Sequence, residues 1–258
     1  FRFRSLPPGN YTLAVTAEAL HEIRRTVVVS AALADRDGII HVTVPFSFEE
    51  AFDNGSGVVS VQQLMIPKKA SAWYADAQKR LVERDAAGAV HDLQQAVDLA
   101  PQFSAAWNAL GVICFQNDDD LEAERFFRRA LQADPGSFDA IVNLGGVLLK
   151  KGWNGEALVY NLGAVELRPK DALANAQLGM TYFQHGDFDR AEPYLLATAK
   201  LDPAHFSQPQ LFLAEIYARR GDRSGAIREL EELLALRPDG PSAETIRREL
   251  HKLQGGKP

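Results

Sequence analysis

The sequence predicts a small antiparallel β-sandwich followed by an all-α solenoid of helical hairpins and a C-terminal capping helix. Three observations carry this. Apolar residues alternate with polar ones, or stand in short runs, over residues 1 to about 64. A helical period takes over after Pro67. Prolines then stand at 101, 135, 169, 203 and 238, at intervals of 34, 34, 34 and 35 residues. A repeat of that length signals stacked units, each unable to bury its own apolar face.

The β segment reads element by element. Phe1 and Phe3 alternate with Arg2 and Arg4, the period of a half-buried strand. Pro7-Pro8-Gly9-Asn10 reads as a turn, because proline presets φ while Gly9 and Asn10 tolerate positive φ. Tyr11, Leu13 and Val15 resume the period of two. A third strand is expected over residues 24–31, and Asp35-Arg36-Asp37-Gly38 turns into a fourth over 39–46. A polar excursion over 48–56 precedes a last strand at 58–64. Five short strands with tight turns predict a sandwich over residues 1–65. An opening on Phe1, inside a strand, is read as the start of a piece of a longer protein.

From Ala70 the same pattern recurs. Trp107, Leu110 and Gly111 fall on one helix, Ala123, Phe127 and Ala130 on the next, and Pro135 ends the unit. Later copies give Ile141, Leu144, Gly145, Ala157, Ala164 and Pro169, then Leu178, Gly179, Tyr182, Ala191, Leu195 and Pro203. A copy one residue late has Leu213, Ala214, Tyr217, Ala226, Leu230 and Pro238. A degenerate first copy keeps Trp73, Ala77, Ala89, Leu93, Ala96 and Pro101. Small residues let paired helices approach, large ones fill the space between hairpins, and proline breaks the second helix. Gly152-Trp153, Gly186-Asp187 and Gly221-Asp222 mark turns within units. The tail at 241–258 places charges around Ile246, Leu250 and Leu253, a polar-faced cap.

This pattern resembles the tetratricopeptide repeat over about two thirds of the chain. Five units are expected at about 70–103, 104–137, 138–171, 172–205 and 207–240, within a span of 66–238. The resemblance implies that a partner's peptide or helix lies in a concave groove lined by the first helix of each unit. Carried onto this chain, the family's lining positions include the fifth, ninth, twelfth and thirteenth of each copy, and the candidates taken from the first copy are Tyr74 and Gln78, its fifth and ninth. The second gives Asn108, Val112, Phe115 and Gln116, and the third Leu149 and Lys150. Met180, Phe183 and Gln184 come from the fourth copy and Arg219 from the fifth. Such a lining is apolar and aromatic at its centre and suits an apolar peptide or helix. The alternative for Phe115 and Leu149 is packing against a neighbouring hairpin. Only Asn108 fits the lysine and asparagine set that grips a terminal carboxylate. More weakly, Leu6-Pro7-Pro8-Gly9-Asn10-Tyr11 and its flanks resemble the strand–turn–strand of carboxypeptidase regulatory-like, transthyretin-like domains. These imply a binding or spacer role, and favour a periplasmic or extracellular compartment.

Composition limits the alternatives. The chain has 258 residues, 46% of them hydrophobic and 24% charged, which excludes a mainly disordered protein. No apolar run is long enough for a membrane span. A net charge of −6 argues against a sequence-blind grip on nucleic acid. Six dispersed histidines show no metal-ligand spacing, and no phosphate-binding glycine motif is present, so neither catalysis nor a cofactor is expected. The single cysteine, Cys114, is expected to be buried and inert. Asn117-Asp118-Asp119-Asp120 is read as a helix-start cap, and Arg125, Arg128 and Arg129 as part of a solvated face with nearby glutamates. The expectation is a non-enzymatic protein-interaction scaffold. Its rival is the interaction segment of a larger exported enzyme or of a transport or assembly protein.

Overall fold

The computed structural model describes residues 8–15, 23–30, 32, 34 and 65–255. The chain divides into two compact units, Gly55–Pro169 and the pair of segments Phe1–Asn54 and Lys170–Pro258. Eleven α-helices and two strands lie among the described residues.

The first unit holds α1 (Lys68–Val82), α2 (Ala86–Leu99), α3 (Ser104–Gln116), α4 (Asp120–Ala133), α5 (Phe138–Lys150) and α6 (Asn154–Leu167). Each helix packs on the next, and α3 also touches α5, as stacked antiparallel hairpins require. Small residues set the approach within each hairpin. A Cβ on Gly111 would lie 2.5 Å from the Phe127 ring, and one on Gly145 would lie 2.0 Å from the Asn161 carboxamide oxygen. Ala77, in the same register, is buried with Leu93 in the core.

Turns within hairpins share one backbone device. The residue two before each second helix is left-handed: Arg84 at φ 64°, Asp118 at 59° and Gly152 at 74° in this unit. The next residue is the N-cap. Asp85 accepts from the Gly88 N–H and Asp119 from the Glu122 N–H, whereas Trp153 offers no side-chain cap. The expected cap at 117–120 is therefore present, on Asp119.

The second unit holds β1 (Gly9–Val15), β2 (Ile23–Val29), α7 (Ala172–Gln184), α8 (Phe188–Leu201), α9 (Pro209–Arg219), α10 (Arg223–Leu236) and α11 (Ala243–Leu253). Left-handed Gly186 and Gly221, followed by capping Asp187 and Asp222, repeat the turn device. Arg220 bridges α9 to α8 through Asp189 and Glu192. The last helix, α11, buries Ala243, Ile246 and Leu250 toward α10 and turns its arginines outward.

The N-terminal expectation is corrected. Only two strands occur among the described residues, paired antiparallel from Gly9↔Val29 to Val15↔Ile23. A hairpin, not a two-layer sandwich, is what the described residues support. The strands expected at residues 1–3, 39–46 and 58–64 lie outside them. Gly9 and Asn10 are extended strand residues rather than turn residues, because Val29 and Val28 pair with them.

A two-stranded hairpin by itself is marginal in water, and among the described residues this one is tied to the helical part of its unit. The Thr26 N–H donates to Asp202 Oδ2 at 3.1 Å, and Ser30 Oγ donates to Asp239 Oδ2 at 2.6 Å. Arg237, only 6% exposed, donates Nη1 to Asn10 Oδ1 at 2.7 Å and Nη2 to the Ala204 carbonyl at 2.6 Å. The one-residue lengthening before Pro238 falls in this region. Between α8 and α9 the chain inserts a loop that buries His205 and starts α9 from left-handed Gln208. Gln210 donates to the Pro203 carbonyl and closes that loop.

Candidate functional site

The residues assigned to a groove fall in both units, and each set stands by itself. In the first unit, half-buried Tyr74 on α1 packs against Phe103, with ring centroids 5.0 Å apart. Burial raises its phenol above the ordinary range, a hydrogen bond with exposed Gln78 opposes the shift, and nearby Asp139 adds to it. Asn108 on α3 accepts a 2.9 Å hydrogen bond from Asn143 Nδ2 on α5. Val112 beside it is half-buried.

One turn further along α3, Phe115 is 37% exposed and lies under the Lys150 ammonium, 4.9 Å from the ring centroid. Lys150 also donates to Asp118 at 2.9 Å and Asp120 at 2.8 Å. Its hydrogen bonds to Asp120 and then Asp118 raise its pKa, so the cation is fixed across the physiological range. Gln116 is exposed at the end of the helix. Leu149 departs from the assignment, since at 6% exposure it belongs to the core. α5 buries eight residues around its circumference, and Leu149 is one of them. Sequence reasoning missed Asn143, Asp118 and Asp120. The 34-residue register could have supplied only Asn143, as the neighbour of the fifth position on α5.

In the second unit Phe183 on α7 meets Phe188 and Phe212 edge-on, at 5.3 and 5.0 Å between centroids. Met180 is half-buried one turn earlier, and Gln184 is exposed. Arg219 on α9 lies over Phe188 at 5.2 Å and donates to Glu215. These side chains make an aromatic wall with a charged edge.

No group of three or more histidine, cysteine or carboxylate side chains among the described residues is placed to hold a metal. Cys114 is half-buried rather than fully buried. Burial, followed by the charges of Asp119 and Glu122, raises its thiol pKa and disfavours the thiolate. No helix among the described residues is long and apolar enough to cross a membrane.

Known proteins agree with this architecture. Anaphase-promoting complex subunit 3 of Schizosaccharomyces pombe is 27% identical over 173 residues, covering 67% of this chain and 26% of that protein. The chain thus spans about a quarter of the length of that curated relative. The crystal structure of YrrB, described as a TPR protein with an unusual peptide-binding site, matches 73% of this chain and 98% of its own. The identity is 25% and the TM-score 0.59. PilW, a type IV pilus biogenesis factor, matches 73% of this chain and 87% of its own at 20% identity and TM-score 0.63, a likeness of fold. The tetratricopeptide repeat profile matches residues 74–138 and 176–241, just over half of the sequence. The chain belongs to the tetratricopeptide repeat family.

Proposed function

We propose that this chain is a non-enzymatic protein-interaction scaffold whose first helices bind an extended peptide of a partner protein. Its repeats are taken as the five units from about 70 to 240, with α11 as their cap. The observation that carries the reading is the Asn143–Asn108 carboxamide bridge between α5 and α3. A peptide backbone needs partners for alternating donors and acceptors. The bridge uses one hydrogen of Asn143 and one lone pair of Asn108, leaving the Asn108 NH₂ and the Asn143 oxygen as a donor and an acceptor. Phe115, clamped under Lys150, adds apolar surface and a fixed positive charge two turns further along the same helices. The peptide-binding site attributed to YrrB supports the same use of this fold.

Selection of a displayed random-peptide library on the full chain tests the proposal. Selected peptides are expected to lose about tenfold or more in affinity to Asn108→Ala and to Phe115→Asp, with far-UV circular dichroism unchanged. Equal binding by both folded variants would overturn it.

A second reading makes the chain the interaction segment of a larger assembly protein or enzyme. The share of the fission-yeast relative that it spans favours this. Sequencing the full reading frame decides it, because a catalytic motif flanking the segment is required by the enzyme version.

A further inference from the structure

We propose a second recognition site, independent of the first-helix surface: a cleft on the first unit that takes a glutamate or aspartate side chain of an acidic peptide segment. The cleft lies where α2, α3 and α4 meet, has a volume of about 190 Å³, and is lined by Gln94, Trp107, Arg125, Phe126 and Arg129. Its lining contains two guanidinium groups and no carboxylate.

The walls are ordered. Trp107 and Phe126 stack at 5.9 Å between centroids and 23° between planes. The indole N–H is committed to the Pro101 carbonyl at 2.8 Å, which holds the ring in place. Each ring carries a guanidinium on its face, Arg129 at 5.9 Å from the Trp107 centroid and Arg125 at 5.2 Å from that of Phe126. Stacking of this kind orients an arginine without using its N–H donors.

The two arginines are not equivalent. Arg125 forms an exposed ion pair with Glu122, one turn back on α4. Arg128, the third arginine of α4, is held by Glu124 at 2.8 Å and Glu156 at 2.7 Å. Arg129 makes no ion pair or hydrogen bond among the described residues, so its fork is open to a bidentate carboxylate. Gln94 donates its NH₂ to Asp98 at 2.8 Å, which leaves its carbonyl oxygen as an acceptor. The cleft therefore offers cationic donors, a flat apolar wall and one acceptor. That set complements a carboxylate side chain, the apolar surface beside it and a backbone N–H. On a chain of net charge −6, an open arginine fork on an aromatic wall is a local exception that acidic partners would find.

The test is fluorescence anisotropy on the full chain with a labelled, amidated and acetylated peptide of alternating glutamate and leucine. An otherwise identical glutamine–leucine peptide serves as control. The acidic peptide is expected to bind at least tenfold more tightly than its isostere, and Arg129→Gln should remove most of that difference. Phe115→Asp should leave it intact, which separates this cleft from the first-helix surface. Salt should weaken the acidic peptide alone. Equal affinity for both peptides, no binding of either, or an Arg129→Gln variant indistinguishable from wild type would each overturn the proposal. So would acidic-peptide binding lost on Phe115→Asp and kept on Arg129→Gln. If the cleft instead seats a second copy of the chain, Arg129→Gln will shift the mass by light scattering without altering peptide affinity, and the proposal fails.

Discussion

At the residue scale the paired helices of a hairpin approach so closely that a Cβ on Gly111 or Gly145 would collide with the opposing Phe127 or Asn161 side chain. Gly111 faces Phe127, which is 1% exposed and has no open direction in which to retreat. Gly111→Ala is expected to cost about 2–3 kcal/mol, since overpacking forces side chains off their rotamers or moves the backbone. Urea unfolding followed by circular dichroism measures this. At position 77 alanine is already accommodated, so Ala77→Gly should cost closer to 1 kcal/mol, through helix propensity. The turn residues point the other way. Arg84 is left-handed where Gly152, Gly186 and Gly221 stand in the corresponding turns. Arg84→Gly should therefore stabilise the first unit by about 0.5–1 kcal/mol, as relief of the left-handed penalty outweighs the added freedom of the unfolded chain. A lower urea midpoint would contradict it.

Among elements, the second helices of the hairpins are started by one device, and its exception is informative. Asp85, Asp119, Asp187 and Asp222 cap four of them, and the fifth begins at Trp153, whose face carries the Lys151 ammonium at 4.0 Å. Asp119→Ala is expected to cost about 1 kcal/mol, as loss of an N-cap typically does. Asp187 is held below the ordinary carboxylate range, first by the Arg190 side chain and then by the Arg190 N–H. That cap persists in mildly acidic solution. Element positions were the most legible feature of the sequence, because proline spacing and small residues encode them locally. Burial of individual positions was less so. Phe115 and Leu149 share one repeat position, yet Phe115 is open and Leu149 is closed, since burial depends on neighbours remote in sequence. The Asn108–Asn143 bridge was half visible for the same reason: one partner occupied an expected position and the other did not.

For the molecule as a whole, the least legible feature is the docking of β1–β2 on the loop between α8 and α9 and on the end of α10. Alternation announced strands but could not say what would cover them. The covering groups, Asp202, Arg237 and Asp239, have no periodic signature. Asn10→Ala removes the acceptor of a buried guanidinium and should destabilise the second unit by about 1–3 kcal/mol. Titration provides a separate check. His205 is 4% exposed, and its Nδ1 accepts from the Ser207 N–H. Burial depresses its pKa from 6.5 to about 4, the Asp202 charge opposes this, and Arg237 adds to it. The unfolded chain takes up this proton as pH falls through about 6.5, and the folded chain only near 4. Stability of this unit should therefore decline over that window by up to about 3 kcal/mol and be fully present above it. Comparing urea midpoints of wild type and His205→Asn at pH 7.5 and 4.5 isolates the effect. An identical pH dependence in both would rule it out.

The Arg237–Asn10 contact joins residues 227 positions apart, whereas consecutive helices meet across a few residues. During synthesis each helical pair can close soon after it leaves the ribosome, because its contacts are local. The strand bearing Asn10 emerges early and finds its guanidinium partner only after α10 has been made. The first of these segments to be translated is thus among the last to be seated. Until then the Asn10 carboxamide lacks the guanidinium it meets in the folded unit, and translation past Arg237 is the moment at which that contact can form.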